Sequence, residues 1–119
     1  MIRIFILEDD DNRIRQFRKN FINVELTIIK NSKDAIKILR KQFPYDYLFL
    51  DHDLGGQQMV NSGKNTGYEV AQWLSKNILK KPKLALYVHS LNKPGADNII
   101  AELGYGIYVP FIWTKVINF

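Results

Sequence analysis

Four stretches of this chain, IRIFIL at 2 to 7, VELTIIK at 24 to 30, DYLFLD at 46 to 51 and LALYVHS at 84 to 90, are predominantly apolar and too short to be helices. A strand with one wet face alternates polar and apolar residues, whereas a strand that stays apolar is covered on both faces. The segments between them supply the cover. Asp11 or Asn12 is placed to cap a helix with Ile14, Phe17 and Phe21 on one stripe, and Asn31-Ser32 to start another carrying Ala35, Ile36, Leu39 and Phe43 until Pro44 stops it. Thr66 opens a third helix with Val70, Ala71 and Leu74 inward, ended at Lys80-Lys81-Pro82, and Pro94-Gly95 begins a fourth with Ile99, Ile100 and Leu103, ending at Gly104. GIYVPF at 106 to 111 makes a short fifth strand and IWTKVINF at 112 to 119 leaves room for only a shortened last helix. Alternating strands and helices of this kind predict an α/β fold, a doubly wound five-stranded parallel sheet.

At 119 residues the chain is expected to form one domain, 1–119, around one core. It contains no Cys, which excludes disulfides, thiolate metal sites and a cysteine nucleophile. The opening MIRIFILEDD is too short and turns acidic too soon for a signal peptide or membrane span, so a cytoplasmic soluble protein is expected. Lys and Arg number 17 against 12 Asp and Glu, and the positives gather at 13 to 41 and 76 to 83. Such a surface favours an anionic partner or simply keeps helices soluble; no recognised nucleic-acid module accompanies it.

In doubly wound sheets the functional crevice lies beyond the carboxyl ends of the strands. Glu8, Asp9 and Asp10 follow the first strand, Asp51, His52 and Asp53 the third, and His89, Ser90 and Asn92 the fourth. Each group has an ordinary explanation alone, in that acids favour a helix start, His52 suits a loop and His89 suits a core. Together, five carboxylates at one edge repel one another unless a cation or a shared proton compensates. The pattern predicts a divalent ion held by Glu8, Asp9, Asp51 and Asp53. Carboxylates suit Mg²⁺ or Mn²⁺, and added imidazole moves the preference toward Mn²⁺, Fe²⁺ or Zn²⁺. In HSLNKPGA, Ser90 and Asn92 offer hydrogen bonds and the backbone at Gly95 opens a helix, together a pocket for phosphate. The loop of roughly 54 to 66 is long for a strand-to-helix connection, a length that tends to mark function or mobility. GKNTG at 63 to 67 lacks the upstream Gly and the Lys-Ser/Thr pair of a phosphate loop.

ILEDDDNRIR, YDYLFLD and the VPF at 109 to 111 together resemble response-regulator receiver domains over nearly the whole chain. That resemblance implies the receiver, flavodoxin-like topology, Mg²⁺ on Glu8 and Asp9 with Asp10 as helper, and Asp51 in the phosphoacceptor position. Two parts depart from it: the Ser or Thr that ends a receiver's fourth strand is His89 here, and the phosphoryl-contacting Lys is Val109. Both parts that sense an aspartyl phosphate are thus lost. LDHDLGG, GYEVAQWL and HSLNKPGADNI are similar to the cyclic-phosphate-processing receiver domains. The likeness implies metal-dependent phosphoesterase action on a cyclic phosphate of a nucleotide or RNA end. Asp51, His52 and His89 are then the catalytic candidates, the histidines as acid and base or as ligands, and Asp51 as ligand or direct nucleophile. The alternative is a degenerate receiver without catalysis, one that docks a protein partner or sequesters a cyclic nucleotide. Tyr68, Tyr87, Tyr105, Tyr108 and Trp113 are its candidate stacking faces.

Overall fold

A computed structural model describes residues 1–56, 58–77 and 79–109. The chain runs β1 (Arg3–Leu7), α1 (Asp11–Asn20), β2 (Glu25–Ile29), α2 (Ser32–Lys41), β3 (Tyr47–Leu50), α3 (Gly67–Lys76), β4 (Ala85–His89), α4 (Lys93–Leu103), β5 (Ile107–Val109). The five strands form one parallel sheet in the order β2-β1-β3-β4-β5. The order reverses between β1 and β3, so the crevice of such a sheet opens at the ends of those two strands. The expected last helix at 112 to 119, Pro110 and Phe111 of the fifth strand, and Trp113 lie outside the described residues.

Side chains of successive strand residues point to opposite faces, and the core divides accordingly. Phe5, Leu7, Leu48, Leu50, Leu86 and Val88 pack under Ala35 and Leu39 of α2, Val70, Ala71 and Leu74 of α3, and Ala96 and Ile99 of α4. Ile4, Ile6 and Phe49 face the other way, onto Phe17 and Phe21, with Val109 in the same cluster. The rings of Phe17, Phe21 and Phe49 meet edge-on or tilted at 5.5 to 5.7 Å, a geometry that suits their quadrupoles. The central strands are buried on both faces as expected. β2 is not: as an edge strand it keeps all five residues partly or fully exposed.

The helix starts differ in detail from the expectation. Asp10, not Asp11 or Asn12, caps α1, because its extended backbone lets its carboxylate accept the Arg13 N–H at 3.0 Å. Asn31 caps α2 as expected, while that helix ends at Lys41 and leaves Phe43 beyond it, still packed on the core. Thr66 does stand at the start of α3, but its hydroxyl donates to Gly63 O at 2.7 Å rather than accepting from the helix. What seats α3 is its first residue. Gly67 donates its N–H to His52 O at 2.9 Å, and a Cβ there would lie 1.9 Å from the carbonyl oxygen of Asp51.

Gly67→Ala is therefore expected to cost about 3 kcal/mol or more, because backbone rather than a flexible side chain must give way. A denaturant midpoint equal to that of the wild type would contradict this packing.

Candidate functional site

The sheet register decides which edge residues meet. Leu7 pairs with Leu50, and Leu50 with Val88, so the next residues along the three strands, Glu8, Asp51 and His89, form a row. Two residues before each stand Ile6, Phe49 and Tyr87, which belong to the α1 face, and strand alternation carries the row to that face. His89 packs edge-on against Phe17 at 5.1 Å. All three side chains are buried, at 0%, 2% and 3% exposure, and one donor atom from each lies within 4.8 Å of the others.

A fourth group completes the row, one the sequence motifs did not point to. Arg13 reaches down from the first turn of α1 and places Nε 3.0 Å from Glu8 Oε1 and an Nη 3.7 Å from Asp51 Oδ2. It precedes Phe17 by four residues and so shares the buried stripe of its helix, which is the one signal the sequence offers for it. Glu8 Oε1 also lies 3.1 Å from His89 Nε2, and its Oε2 accepts the N–H groups of Asp9 and Asp10 at 3.0 Å each. Burial pushes the Glu8 carboxyl up, but His89, the Asp10 N–H and the Arg13 charge outweigh it and hold it below the ordinary value. Asp51 fares differently. Burial, then the charge of Glu8, push it up to about 8 against the pull of Arg13. Its Oδ2 accepts no hydrogen bond from any described residue.

Of the two compensations that crowded carboxylates allow, the fold supplies a cation, Arg13, and by burial favours the protonated form of Asp51. The donors Glu8, Asp51 and His89, with the orphaned Asp51 oxygen, also fit a divalent ion of the Mn²⁺ or Mg²⁺ kind.

His52 takes no part in that row. It stands one residue past Asp51 and points to the other face, fully buried, where its ring lies against Gly95; a Cβ at Gly95 would come within 2.5 Å of the ring. Both ring nitrogens are engaged, Nδ1 with Asp53 Oδ1 at 2.7 Å and Nε2 with Ser62 Oγ at 2.8 Å. The two histidines therefore serve separate networks, which corrects the expectation that both face one cleft. Asn92 Nδ2 donates to Asp53 Oδ1 at 2.9 Å and Val60 O at 3.0 Å, while its Oδ1 accepts the Gly95 N–H at 3.0 Å. Asn92 and Gly95 are thus spent inside the fold, capping α4 and tying down the loop, and have no such groups left for a phosphate. Asp53 feels burial upward but is held below its ordinary pKa by His52, Asn92 and the Met59 N–H. Asp9 likewise turns outward from the expected metal set to accept the Gly56 N–H at 2.8 Å, and Asp10 is the helix cap.

A cavity of about 50 Å³ opens beside the row, its wall including Arg13, Asp51, Asp53 and Ser90. At about 30 Å³ per water, that is room for one or two water-sized groups. Ser90 Oγ accepts the Asn92 N–H at 3.1 Å, an arrangement that leaves its hydroxyl proton to be donated elsewhere. The two receiver departures are visible here: His89 enters the row, and its neighbour in register, Val109, is buried and brings no charge.

The family described as "Cyclic-phosphate processing Receiver domain" matches residues 4–104. Among solved structures, the Mn(2+)-bound form of response regulator Rcp1 is similar with a TM-score of 0.74 and 20% identity, over 98% of this chain and 91% of that one. A response regulator receiver domain protein from Methanospirillum hungatei JF-1 gives 0.69 at 16% identity, over 99% and 84%. The signal receiver domain of an HD domain-containing protein from Pseudomonas fluorescens Pf-5 gives 0.72 at 9% identity, over 97% and 86%. At such identities the likeness is one of fold. No curated protein matches the chain in sequence. No helix among the described residues is long and apolar enough to cross a membrane.

Folding raises the Asp51 pKa from 3.8 to about 8, so across that window the native protein holds a proton that the unfolded chain has released. By linkage, chelator-treated protein loses stability as pH rises from roughly 4 to 8 and then levels off. Asp51→Asn removes this contribution, and the variant is expected to exceed the wild type by at least about 2 kcal/mol at pH 8 and by much less at pH 5. Urea midpoints in chelator-treated buffer measure this; parallel pH profiles for the two proteins would contradict it.

Proposed function

The chain belongs to the cyclic-phosphate processing receiver domain family, and from that premise we propose that it hydrolyses a cyclic phosphodiester on a nucleotide or an RNA end. The observation that carries the proposal is the buried row of Glu8, Asp51 and His89, with donor atoms within 4.8 Å, opening on a cavity that Arg13 and Ser90 also line. Glu8, Asp51 and His89 would hold a divalent ion, and its chemical contribution when bound is positive charge toward a phosphoryl oxygen.

Arg13 and Ser90 bind phosphoryl oxygens, Arg13 by charge and Ser90 by its hydroxyl proton. Asp51, which a bound divalent ion would hold as a carboxylate and whose Oδ2 accepts no hydrogen bond from any described residue, receives the proton of the attacking water. Water oxygen bonds to phosphorus, one ribose P–O bond breaks, and the proton on Asp51 passes to the released ribose oxygen, leaving a phosphomonoester. Recovery of a phosphorylated Asp51 would replace this order with direct attack by the carboxylate. His52 acts at a distance, as the positioning residue for Asp53. His89 belongs to the ion's ligand set, since Asp51 reaches the cavity wall and the imidazole ring does not.

Purified protein with Mn²⁺ is expected to convert adenosine 2′,3′-cyclic phosphate to a monophosphate. Arg13→Ala, Asp51→Asn and His89→Ala are each expected to lower turnover by about 100-fold or more. Mn²⁺ should raise the melting temperature of the wild type and leave Asp51→Asn nearly unmoved. Ligand bound but recovered intact under all these conditions would instead select the non-catalytic, sequestering role.

A further inference from the structure

Seven large apolar side chains among the described residues are well exposed, and scattered exposure of this kind is ordinary. Met59 and Leu91 are different, because these two, 63% and 65% exposed, line the same cavity of about 50 Å³ whose other walls are charged or polar. Neither is held there by slack chain. Met59 has φ of 54°, in the left-handed region that disfavours any side chain, and its N–H is fastened to Asp53 Oδ2 at 2.6 Å. Leu91 is pinned on both sides: Ser90 O accepts the Tyr108 hydroxyl at 2.8 Å, and the Asn92 N–H donates to Ser90 Oγ at 3.1 Å. The network of Asp53 and Asn92 therefore has an output at the cavity mouth, which is two apolar side chains presented to solvent.

We infer that Met59 and Leu91 form an apolar jaw that takes the base of the nucleotide whose cyclic phosphate enters the ionic cavity. This rests on the hydrolytic function proposed for the site and narrows its substrate class. A cavity with room for one or two water-sized groups takes phosphoryl oxygens and not a nucleoside, so the remainder of the substrate lies across the rim. The rim offers two apolar contacts, one a polarisable thioether that adapts to flat aromatic faces. A nucleobase presents such a face whatever its identity, whereas a glycerol or bare sugar phosphate presents none. The jaw selects for a base without reading which base.

The test is equilibrium binding in metal-free buffer, which withholds the ion on which turnover depends, using adenosine 2′,3′-cyclic phosphate and glycerol 1,2-cyclic phosphate. The wild type is expected to bind the nucleotide about tenfold more tightly than the glycerol compound. In the Met59→Gly, Leu91→Ser double variant that preference disappears while affinity for the glycerol compound is unchanged. Glycine suits the left-handed position and Leu91 is exposed, so both changes spare the fold, which a thermal melt verifies. Equal affinities in the wild type, an undiminished preference in the double variant, or binding of neither compound would overturn the jaw. Cleavage with Mn²⁺ but no base preference would remove the jaw and leave the hydrolase; base preference without cleavage would do the reverse.

Discussion

Two carboxylates buried side by side at the ends of β1 and β3 set the terms for everything around them. A buried charge is tolerated only when paired and hydrogen-bonded, and two of the same sign cannot both ionise without help. Glu8 receives that help from four donors, His89, Arg13 and two backbone N–H groups, and stays ionised. Asp51 receives one distant ion pair and keeps its proton near neutrality. The asymmetry matters chemically. The surroundings favour the ionised form of one carboxylate and the neutral form of the other.

The neighbouring network has the opposite character. His52, Asp53, Asn92, Ser62 and Gly95 satisfy one another closely, with hydrogen bonds of 2.7 to 3.0 Å along the chain of contacts. Such closed polar networks rigidify what they join. Here they join the end of β3, the long loop before α3 and the start of α4, three segments that frame the cavity. The Asp-His-Asp and His-Ser-x-Asn motifs are thereby divided between two tasks. Asp51 and Ser90 line the cavity and His89 joins the buried row, while His52 and Asn92 hold the surrounding segments together, and Asp53 belongs to both.

Much of this architecture is legible in the amino-acid sequence. Continuous apolar runs at 2 to 7, 46 to 51 and 84 to 90 mark strands covered on both faces, and their alternation with helical stripes marks the doubly wound sheet. The rule for such sheets then places the acids and histidines at one edge. Less legible are the small departures, because they depend on contacts distant in sequence. Phe43 packs on the core without being helical, Thr66 turns its hydroxyl back to Gly63, and β2 is an edge strand rather than a central one. Arg13 is hidden for a different reason, since among many surface cations only its helical phase sets it apart.

By itself the sequence determined the elements, their order and the chemical types gathered at the carboxyl edge, since periodicity and side-chain chemistry are local properties. Only the tertiary structure decided which of those groups touch. That choice belongs to strand register and to the alternation of side chains, which put Glu8, Asp51 and His89 on one face and sent His52, a single residue further on, to the other. It belongs as well to the packing of α1 on the sheet, which brings Arg13 to two carboxylates that lie 5 and 38 residues away along the chain. Proximity of that kind is a property of the folded sheet, and no local pattern encodes it.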